Sequence, residues 1–518
     1  MSADDLLAER RRKVDALASL GVPAYNVDYR PDATLAEIAA ELVALETAQG
    51  GSIEQGPVRS VAGRVVARRD QGRSLWLHLE DEDGRLQCWI RRDRLSETGW
   101  AVGELLDLGD IVGVRGPLFR TRRGEPTVEA DELTMLVKSL RPLPEKWHGL
   151  TDTETRYRRR YLDLASSAAT RAHFVRRSAV VSSMRRTLER LGYLEVETPV
   201  LQGIPGGGHA RPFRTHWNAL DADVYLRIAL ELHLKRLLVG GYRRVYEIGR
   251  VFRNEGLSPR HNPEFTMLEA YSAFADYDDM RVLCEQLVVD AAGAVGPQGP
   301  ESGGEEGGST PCDNPLARSL SGRTLDLTPP FAARTMASLI EEHCGFDPLR
   351  AWDDGTLADR ARSLDIEPSA GAGPGALVMS IYEHRVEPAI WDPTFVLDYP
   401  AEVSPLARRL PGDPRFVERF ELVIAGRELA NAFSELNDPI DQRQRFEAQA
   451  HLRAAGDEEA FRLDEDFLQA IETGMPPAGG MGMGVDRLVM LLTDSAAIRD
   501  VLLFPAMRPR TISQTESR

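Results

Sequence analysis

The sequence predicts an α+β protein in which a small β-barrel precedes a larger domain of mixed strands and helices. Three observations support this fold class. A chain of 518 residues is too long for a single hydrophobic core. Residues 57–138 alternate apolar and polar side chains over five short runs, which is typical of strands. The remainder has no regular βαβ repeat, which argues against a doubly wound parallel sheet.

Composition limits the classes of function. Hydrophobic residues at 42% and charged residues at 28% indicate an ordinary globular protein, and no run of apolar residues is long enough to span a bilayer. The N-terminal segment MSADDLLAERRRK lacks the apolar core of a signal peptide, so we expect a cytoplasmic location and no membrane partner. The net charge of −17 argues against a general polyanion binder but not against a local basic surface. The four cysteines lie far apart, so any metal should be held by oxygen.

Two helices are predicted first, and the barrel follows. Residues 1–56 place apolar side chains at helical spacing, which predicts an N-terminal helical extension. Residues 57–140 hold the five strand-like runs and a helical insert, and this pattern fits a barrel of the OB type. Arginines lie beside Trp76 and Phe119 in these runs, a mixture that suits single-stranded bases. Another kind of small barrel and a solvated basic face remain the alternatives.

A linker over 141–167 is predicted from the prolines of RPLPEKWHGL, and a large domain over 168–518. This domain begins with a long helix, which leads into a strand, YLEVETPVL, closed by Pro199. It contains no glycine-rich phosphate loop, so any nucleotide should be bound by side chains. The stretch that starts at 296 is rich in glycine, proline, serine and glutamate and predicts a disordered insertion over 296–322.

The first segment rich in charged and aromatic residues is FRNEGLSPRHNPEFTMLEAY, residues 252–271. The segments on both sides of SPRHNP predict two antiparallel strands joined by a loop. A strand through EFTMLEAY places Phe265 and Glu269 on one face, and a strand through VFRNE places Arg253 and Glu255 together. Guanidinium groups, an aromatic ring and carboxylates around one cavity suit a nucleoside triphosphate. A ladder of surface salt bridges is the alternative.

The second segment is FELVIAGRELANAFSELND. If Ala425-Gly426 forms a two-residue hairpin turn, Val423 faces Glu428, and Glu421 is its diagonal neighbour. The two carboxylates then share a face, and such a pair beside bound phosphates suits Mg²⁺. Two unrelated solvated strand faces are the alternative.

Asn431, Phe433 and Glu435 follow on the same predicted strand and alternate onto one face. On a regular strand these three side chains would point to the face opposite that of Glu428. We therefore expect a bulge or kink near Leu429–Ala430 if all these side chains share one cavity.

The third segment is GMGMGVDRLVML. Its small residues allow close approach of the backbone, and a buried helix begins near Arg487. Because the helix dipole opposes the charge of an arginine at this end, we expect an anionic partner for it.

These segments, in this order, resemble the motifs of class II aminoacyl-tRNA synthetases: YLEVETP as motif 1, VFRNE through EFTMLEAY as motif 2, and GMGMGVDRLVML as motif 3. RPLPEKWHGL, ARPFRTH, RHNPEFTMLE, YPAEVSPLARR and ELNDP further resemble the bacterial lysyl-tRNA synthetases, over about residues 57–510. The resemblance implies an OB-fold anticodon-binding domain and a catalytic domain on an antiparallel β-sheet flanked by helices. It also implies a homodimer that forms through motif 1.

The implied reaction is that of a lysine–tRNA ligase, which uses ATP and Mg²⁺ to form lysyl-adenylate and transfers lysine to the 3′ end of lysine tRNA. The implied catalytic residues are Arg253 and Arg487. The implied ATP site consists of Arg253, Glu255, Arg260, His261, Phe265, Glu421, Glu428 and Arg487, of which Glu421 and Glu428 carry the metal. The implied lysine site consists of Gly207, Glu231, Glu269, Tyr271, Asn431, Phe433 and Glu435. The implied anticodon site consists of Arg69, Trp76, Gln87 and Glu125.

Physical chemistry agrees with a cationic substrate. Several carboxylates and a tyrosine hydroxyl around one small cavity are costly unless the substrate supplies cations, and lysine supplies two ammonium groups. Its carboxylate, turned toward Arg253, is the nucleophile for the α-phosphorus, so we expect no protein nucleophile.

The chain departs from the family pattern at four positions. GGAxARPF of the family is GGGHARPF here, so Gly208 and His209 replace small residues beside the implied lysine site. Leu230 replaces an expected proline or threonine, and Ala432 replaces an expected glycine. None of these changes removes a charged ligand, so we expect lysine activation to survive.

Two other functions remain open at this stage. One is a paralogue that activates lysine or a lysine analogue for a non-tRNA acceptor. Ala229 and Gly482 keep the synthetase identity where such short relatives differ, and the barrel that those relatives lack is present. The other is a non-catalytic RNA-binding or regulatory protein. Such a protein would be expected to lose one or more of the residues implied for catalysis and metal binding, and the chain retains them all: Arg253, Glu421, Glu428 and Arg487.

Overall fold

The computed structural model describes residues 3–144, 150–296, 314–369, 371–454 and 462–509. The chain divides into two compact units, Met1–Arg171 and Ala172–Arg518, and each is described by itself.

The first unit is a closed six-stranded barrel whose core also includes residues of three helices. Its helices are α1 (Ala3–Ser19), α2 (Leu35–Gln49), α3 (Glu97–Glu104), α4 (Thr153–Arg158) and α5 (Arg160–Ser166). Its strands are β1 (Val58–Gln71), β2 (Ser74–Glu80), β3 (Arg85–Arg91), β4 (Ile111–Arg120), β5 (Pro126–Glu129) and β6 (Glu132–Val137). The order is β1-β2-β3-β5-β4-β6, and an added β1–β4 pairing closes the barrel. The last of the five predicted runs therefore forms two strands rather than one.

The second N-terminal helix, α2, is stabilised by capping interactions at its ends and by packing against the barrel. Thr34 accepts from the backbone N–H of Glu37, the Glu37 side chain accepts from that of Thr34, and this capping box starts α2. Gly50, at φ 70°, ends the helix in the left-handed conformation. Leu35 and Ile38 are buried in the same core as the barrel strands, so the extension packs against the barrel.

The second unit is built on an eight-stranded sheet. Its helices are α6 (Ala168–Arg190), α7 (Glu231–Val239), α8 (Tyr277–Val295), α9 (Met336–Cys344), α10 (Pro348–Asp353), α11 (Leu357–Ser363), α12 (Pro374–Ile381), α13 (Pro439–Ala454), α14 (Glu465–Gly474), α15 (Val485–Leu492) and α16 (Ile498–Val501). Its strands are β7 (Leu194–Glu195), β8 (Leu201–Gln202), β9 (Arg214–Trp217), β10 (Ala222–Leu226), β11 (Arg244–Phe252), β12 (Glu264–Ala273), β13 (Ala317–Leu320), β14 (Arg323–Asp326), β15 (Ala332–Thr335), β16 (Thr394–Pro400), β17 (Phe416–Val423), β18 (Glu428–Ser434) and β19 (Ala478–Gly484).

The large sheet has the order β15-β16-β17-β18-β19-β12-β11-β7. Its pairings are antiparallel from β16 to β11, and only the two outer pairs are parallel. This confirms the prediction of an α+β domain on an antiparallel sheet flanked by helices. Smaller sheets are formed by β8-β10-β9 and β13-β14.

One face of the central strands packs into the core, and the opposite face lines a cavity. Leu268 and Ala270 of β12 belong to the main core, together with residues of α8 and α15. The intervening Glu269 and Tyr271 point to the opposite face and line a cavity. The period of two along β12 therefore separates the core from the candidate site.

Three predictions of extent were wrong. β7 is only two residues long, because Thr198 beyond it donates its hydroxyl to Glu247 Oε2 (2.7 Å) instead of continuing the ladder. β11 ends at Phe252, so Arg253 and Glu255 lie in the loop after the strand. β13 is an ordered strand inside the predicted 296–322 insertion. The rest of that prediction, 297–313, lies outside the described residues.

A membrane-spanning segment was not expected, and none of the described helices combines the length and apolar character that crossing a bilayer requires.

Candidate active site

A cavity of about 540 Å³ lies on the polar face of β12, β17, β18 and β19. The predicted ATP and lysine residues that line it are Gly207, Glu231, Arg253, Glu255, Arg260, His261, Phe265, Glu269, Tyr271, Glu421, Glu428, Asn431, Phe433 and Arg487. Glu435, the remaining predicted residue, is buried behind this lining. The structure thus brings the three sequence segments to one place.

The hairpin between β17 and β18 has the predicted geometry. Ala425 and Gly426 both have positive φ, at 51° and 66°, as a tight two-residue turn requires. Val423 pairs with Glu428, but Leu422 pairs with Ala430, so Leu429 is an extra residue in β18. This bulge changes the parity of the strand and confirms the expected irregularity at Leu429–Ala430.

Glu269 is held at one end of the cavity, which we call the amino-acid end. Its side chain is 3% exposed, and it accepts from the backbone N–H of Leu230 and the hydroxyl of Tyr271, both at 3.0 Å. Burial, with the neighbouring Glu231, raises the pKa of Glu269 to about 7. The carboxylate is therefore oriented by fixed backbone and a fixed ring before any substrate arrives.

Glu231 and Glu435 share a buried cation at the same end. Lys235, one turn after Glu231 on α7, has its Nζ 2.5 Å from Glu231 Oε1 and also contacts Glu435 Oε2. Burial raises the pKa of Glu435 to about 8, although Lys235 acts in the opposite direction. Glu435 Oε1 is buried and has no hydrogen-bond partner among the described residues. Sequence reasoning missed Lys235, and its i,i+4 spacing from Glu231 was the available signal.

Two glycines shape this end. Gly207 has φ 84°, and a Cβ there would lie 3.0 Å from Glu231 Cβ, so its backbone passes the base of the Glu231 side chain closely. A Cβ on Gly480 would overlap Glu435 Oε1 and the ring of Tyr271. Both positions therefore require glycine for steric reasons.

Arg253 and Phe265 lie together toward the other end, which we call the nucleotide end. The guanidinium carbon of Arg253 is 5.2 Å from the centroid of the Phe265 ring, and burial lowers the pKa of this arginine. The Arg253 N–H donates to the carbonyl of Pro263 (2.9 Å), which holds the loop after β11 against the start of β12.

Arg260 and His261 are exposed within that loop. The Ser258 hydroxyl accepts from the backbone N–H groups of both residues, at 3.1 and 3.0 Å, and its oxygen lies 2.9 Å from His261 Nδ1. The loop is thus shaped by its own hydrogen bonds, while the side chains of Arg260 and His261 face solvent and the cavity.

Arg487 lies in the first turn of α15, as predicted. Its Nη1 donates to Glu428 Oε2 (3.0 Å) and to the Glu428 carbonyl (2.9 Å). The preceding Asp486 is 2% exposed and accepts from the Thr266 N–H (2.7 Å), which ties α15 to β12. Asp486 was not predicted.

Glu421 is 6% exposed and lies near Glu428 on the same side of the hairpin. Burial and the charge of Glu428 raise its pKa to about 7. Arg419 donates to Glu421 Oε1 (2.6 Å) and to Asn431 Oδ1 (3.0 Å), and so links two predicted groups. Arg419 was also missed, although its spacing of two from Glu421 placed it on the same strand face.

Of the four residues that depart from the family pattern, two are buried in the core and two line the cavity. The side chains of Leu230 and Ala432 are buried in the core, away from the cavity. Leu230 contributes its N–H to Glu269, a donor that proline would lack. Gly208 and His209 both line the cavity, and His209 is exposed there.

The barrel of the first unit gathers the four predicted anticodon residues on one face. Trp76 pairs with Arg69 on β1 and with Trp89 on β3, and the two indole rings stack with centroids 5.0 Å apart. Gln87 donates to Glu125 Oε2 (2.7 Å) beside them. Trp89 was missed, and the cross-strand register of Trp76 was the signal that could have found it.

Comparison with known proteins gives consistent matches. The family model described as tRNA synthetases class II (D, K and N) matches residues 152–508. The model described as OB-fold nucleic acid binding domain matches residues 60–141.

The chain is also similar to curated proteins named lysine–tRNA ligase. The one from Moorella thermoacetica is 51% identical over 98% of each chain. The one from Thermoanaerobacter pseudethanolicus is 45% identical over 98% of this chain and 97% of the relative, and the one from a Synechococcus species is 49% identical over 98% and 99%. This chain therefore belongs to the class II tRNA synthetases of the D, K and N group, and within them to the lysine–tRNA ligase family.

Proposed function

We infer that this chain is a lysine–tRNA ligase. It activates L-lysine with ATP to form lysyl-adenylate and pyrophosphate, and it transfers the lysyl group to the 3′ end of lysine tRNA. The observation that carries the choice of amino acid is the cluster of buried carboxylates at the amino-acid end. Glu269 and Glu435 have pKa values raised by burial to about 7 and 8, and Glu435 Oε1 lacks a hydrogen-bond donor among the described residues.

A substrate with two ammonium groups fits these carboxylates. Glu269 is held close to Glu231 at the level of the Gly207 backbone, and we assign this pair to the α-ammonium of lysine. Glu435 Oε1 and the Tyr271 ring meet at Gly480, and we assign them to the ε-ammonium. Lys235 contacts two of these three carboxylates, so the two ammonium groups of lysine would offset the negative charge that one resident cation leaves uncompensated.

Activation needs positioning and charge stabilisation rather than a protein nucleophile. The lysine carboxylate attacks the α-phosphorus of ATP, the bond to the bridging oxygen breaks, and pyrophosphate leaves. Arg253 would stabilise the negative charge that develops on the α-phosphate. Arg260 and His261 would hold the outer phosphates, Glu255 would accept from the adenine amine, and Phe265 and Arg487 would enclose the adenine ring. Asn431 and Phe433 would complete the wall of the lysine site.

The donor groups at Glu421 and Glu428 fit Mg²⁺. Both are carboxylates, and the raised pKa of Glu421 reflects a buried charge that a cation would relieve. Among the described residues no set of three or more acidic, histidine or cysteine side chains is arranged to hold a metal. The remaining ligands would therefore be phosphate oxygens of ATP and water, which is usual for this ion. Bound Mg²⁺ would offset phosphate charge during the displacement.

Transfer to tRNA completes the proposal. The terminal ribose hydroxyl attacks the carbonyl carbon of lysyl-adenylate, and AMP leaves. Arg69, Trp76, Gln87 and Glu125 are the proposed anticodon contacts. We also propose a homodimer through the motif 1 region, because Leu194, Val200 and Leu201 are large apolar side chains exposed there. The proposed location is the cytoplasm, where ATP and tRNA are available.

The test is lysine-dependent exchange between ATP and pyrophosphate, followed by charging of lysine tRNA with the same preparation. Both activities are expected. Ornithine and norleucine serve as control amino acids, since one has a shorter side chain and the other lacks the ε-ammonium. Exchange without charging would favour a paralogue with a non-tRNA acceptor, and loss of both activities would favour a regulatory protein.

A further inference from the structure

Lys235 is a buried ammonium at the base of the amino-acid end. Its side chain is 1% exposed, and its Nζ lies between Glu231 Oε1 (2.5 Å) and Glu435 Oε2. The centroid of the Phe433 ring is 5.3 Å from the same Nζ, and Phe433 lines the cavity. Lys235 is therefore directly behind the cavity wall, in contact with two of the carboxylates assigned to lysine.

The surroundings keep this ammonium charged. Burial opposes the charge, but attraction to Glu231 and Glu435 outweighs burial and raises the pKa of Lys235. The other titratable groups of the cluster are Glu269 and Tyr271, which reach it from β12. Removal of a buried cation while its two carboxylate partners stay in place is strongly destabilising, because the carboxylates are left as uncompensated buried charges.

The charges of the cluster indicate what the pocket accepts. When they are ionised, Glu231, Glu269 and Glu435 carry three negative charges, and Lys235 supplies one positive charge. Two negative charges remain uncompensated inside a buried site. Lysine brings two ammonium groups, and its carboxylate is matched by Arg253. The Lys235 ammonium therefore leaves two uncompensated negative charges in the pocket, and a substrate with two ammonium groups balances them.

Lys235 also orients Glu435. It contacts Oε2, which leaves Oε1 turned toward Gly480 and the Tyr271 ring at the cavity floor. Without Lys235, Glu435 would lose the ammonium group that contacts it, and its protonated form would be favoured. A protonated Glu435 would bind an ammonium group more weakly than its carboxylate does.

We propose that Lys235 is a positioning residue that determines the specificity of the amino-acid site, because its ammonium group contacts both Glu231 and Glu435 and orients them for a substrate with two ammonium groups. The inference rests on the proposed function, since it assumes that lysine is the substrate.

The test compares Lys235→Gln with the wild type in ATP–pyrophosphate exchange from pH 7 to pH 9. Glutamine keeps hydrogen-bond donors for both carboxylates but removes the charge. The KM for lysine is expected to rise about tenfold or more at pH 7, because the proton competes with lysine for Glu435, and each unit of pKa is a factor of about ten. The ratio of the two KM values should shrink severalfold by pH 9. The KM for ATP should change little.

Two further variants keep the test decisive. Lys235→Arg retains the charge, so its KM ratio to the wild type should not vary with pH, and a ratio that does vary would overturn the inference even if Lys235→Gln does not fold. Arg236→Gln is the matched control, because Arg236 is on the same helix and pairs with Asp464 and Asp466 outside the site. Equal effects of Lys235→Gln and Arg236→Gln, or a pH-independent KM ratio for Lys235→Gln, would also overturn it. A wild type without lysine-dependent exchange would instead contradict the proposed function.

Discussion

At the amino-acid end of the cavity the charged groups are buried and already engaged, whereas at the nucleotide end several of them are exposed on a loop. Glu269 accepts two hydrogen bonds from fixed groups, and Lys235 holds Glu231 and Glu435. Arg260 and His261, in contrast, are exposed in an irregular segment.

The difference follows from what each substrate offers. A triphosphate presents many oxygens, so it can order mobile cationic side chains and offset the entropy that they lose. An amino acid presents only two ammonium groups and one carboxylate. Selection among amino acids therefore depends on groups whose position is set by burial before the substrate binds.

The largest effect is expected from Arg253, which lies with Phe265 at the nucleotide end. Arg253→Ala should reduce lysine-dependent exchange by about 100- to 1000-fold, because the charge on the α-phosphate loses its donor. Arg250→Ala is the control: Arg250 is an exposed residue of β11 that does not line the cavity, and its variant should keep wild-type exchange. A similar loss in both variants would mean that the loop is merely destabilised.

Gly480→Ala tests the amino-acid end of the cavity. The added methyl group would overlap Glu435 Oε1 and the Tyr271 ring, so we expect the KM for lysine to rise about 10- to 100-fold, in line with the usual cost of overpacking. Gly484→Ala is the counterpart at the nucleotide end of β19. The three atoms nearest to its methyl group would all belong to the Arg487 side chain, at 3.4 to 3.6 Å. The comparison would fail if Gly484→Ala raised the KM for lysine more than Gly480→Ala does.

Trp76→Ala tests a surface that belongs to neither end. Loss of base stacking should weaken charging of lysine tRNA by about 1–3 kcal/mol and leave ATP–pyrophosphate exchange unchanged. Parallel measurement of both activities checks this. A matching loss of exchange would refute an anticodon role, because activation of lysine does not need the barrel face.

The smallest effect expected is a pH dependence of lysine binding. Since the folded-state pKa values of Glu269 and Glu435 are raised to about 7 and 8, protonation of these groups contributes stability at low pH that is lost as pH rises through these values. Lysine supplies the missing cations, so the gain in Tm on adding lysine should be larger at pH 8.5 than at pH 6.5. Glu435→Gln should flatten the upper part of this profile. A gain that does not vary with pH in the wild type would contradict the buried-carboxylate model.

The sequence predicted the local features whose causes are local. The Ala425-Gly426 turn, the pairing of Val423 with Glu428 and the bulge near Leu429 follow from turn chemistry and the period of two, and the structure confirms them. The extent of β7 and the end of β11 could not be predicted, because they depend on tertiary partners. Thr198 leaves the ladder for Glu247, and Pro263 has no N–H to extend the pairing with Arg253.

By itself the sequence determined which chemical groups are present and in which segments, and it predicted an α+β protein with an arginine- and carboxylate-rich site for a nucleotide and a cationic amino acid. Only the tertiary structure decided which charges neutralise one another. Lys235 and Glu435 are 200 positions apart in the chain, and Arg419 on β17 reaches Asn431 on β18 across a hairpin. Such pairings arise because folding brings distant side chains into a medium of low dielectric constant, where a buried charge must find a partner or a proton.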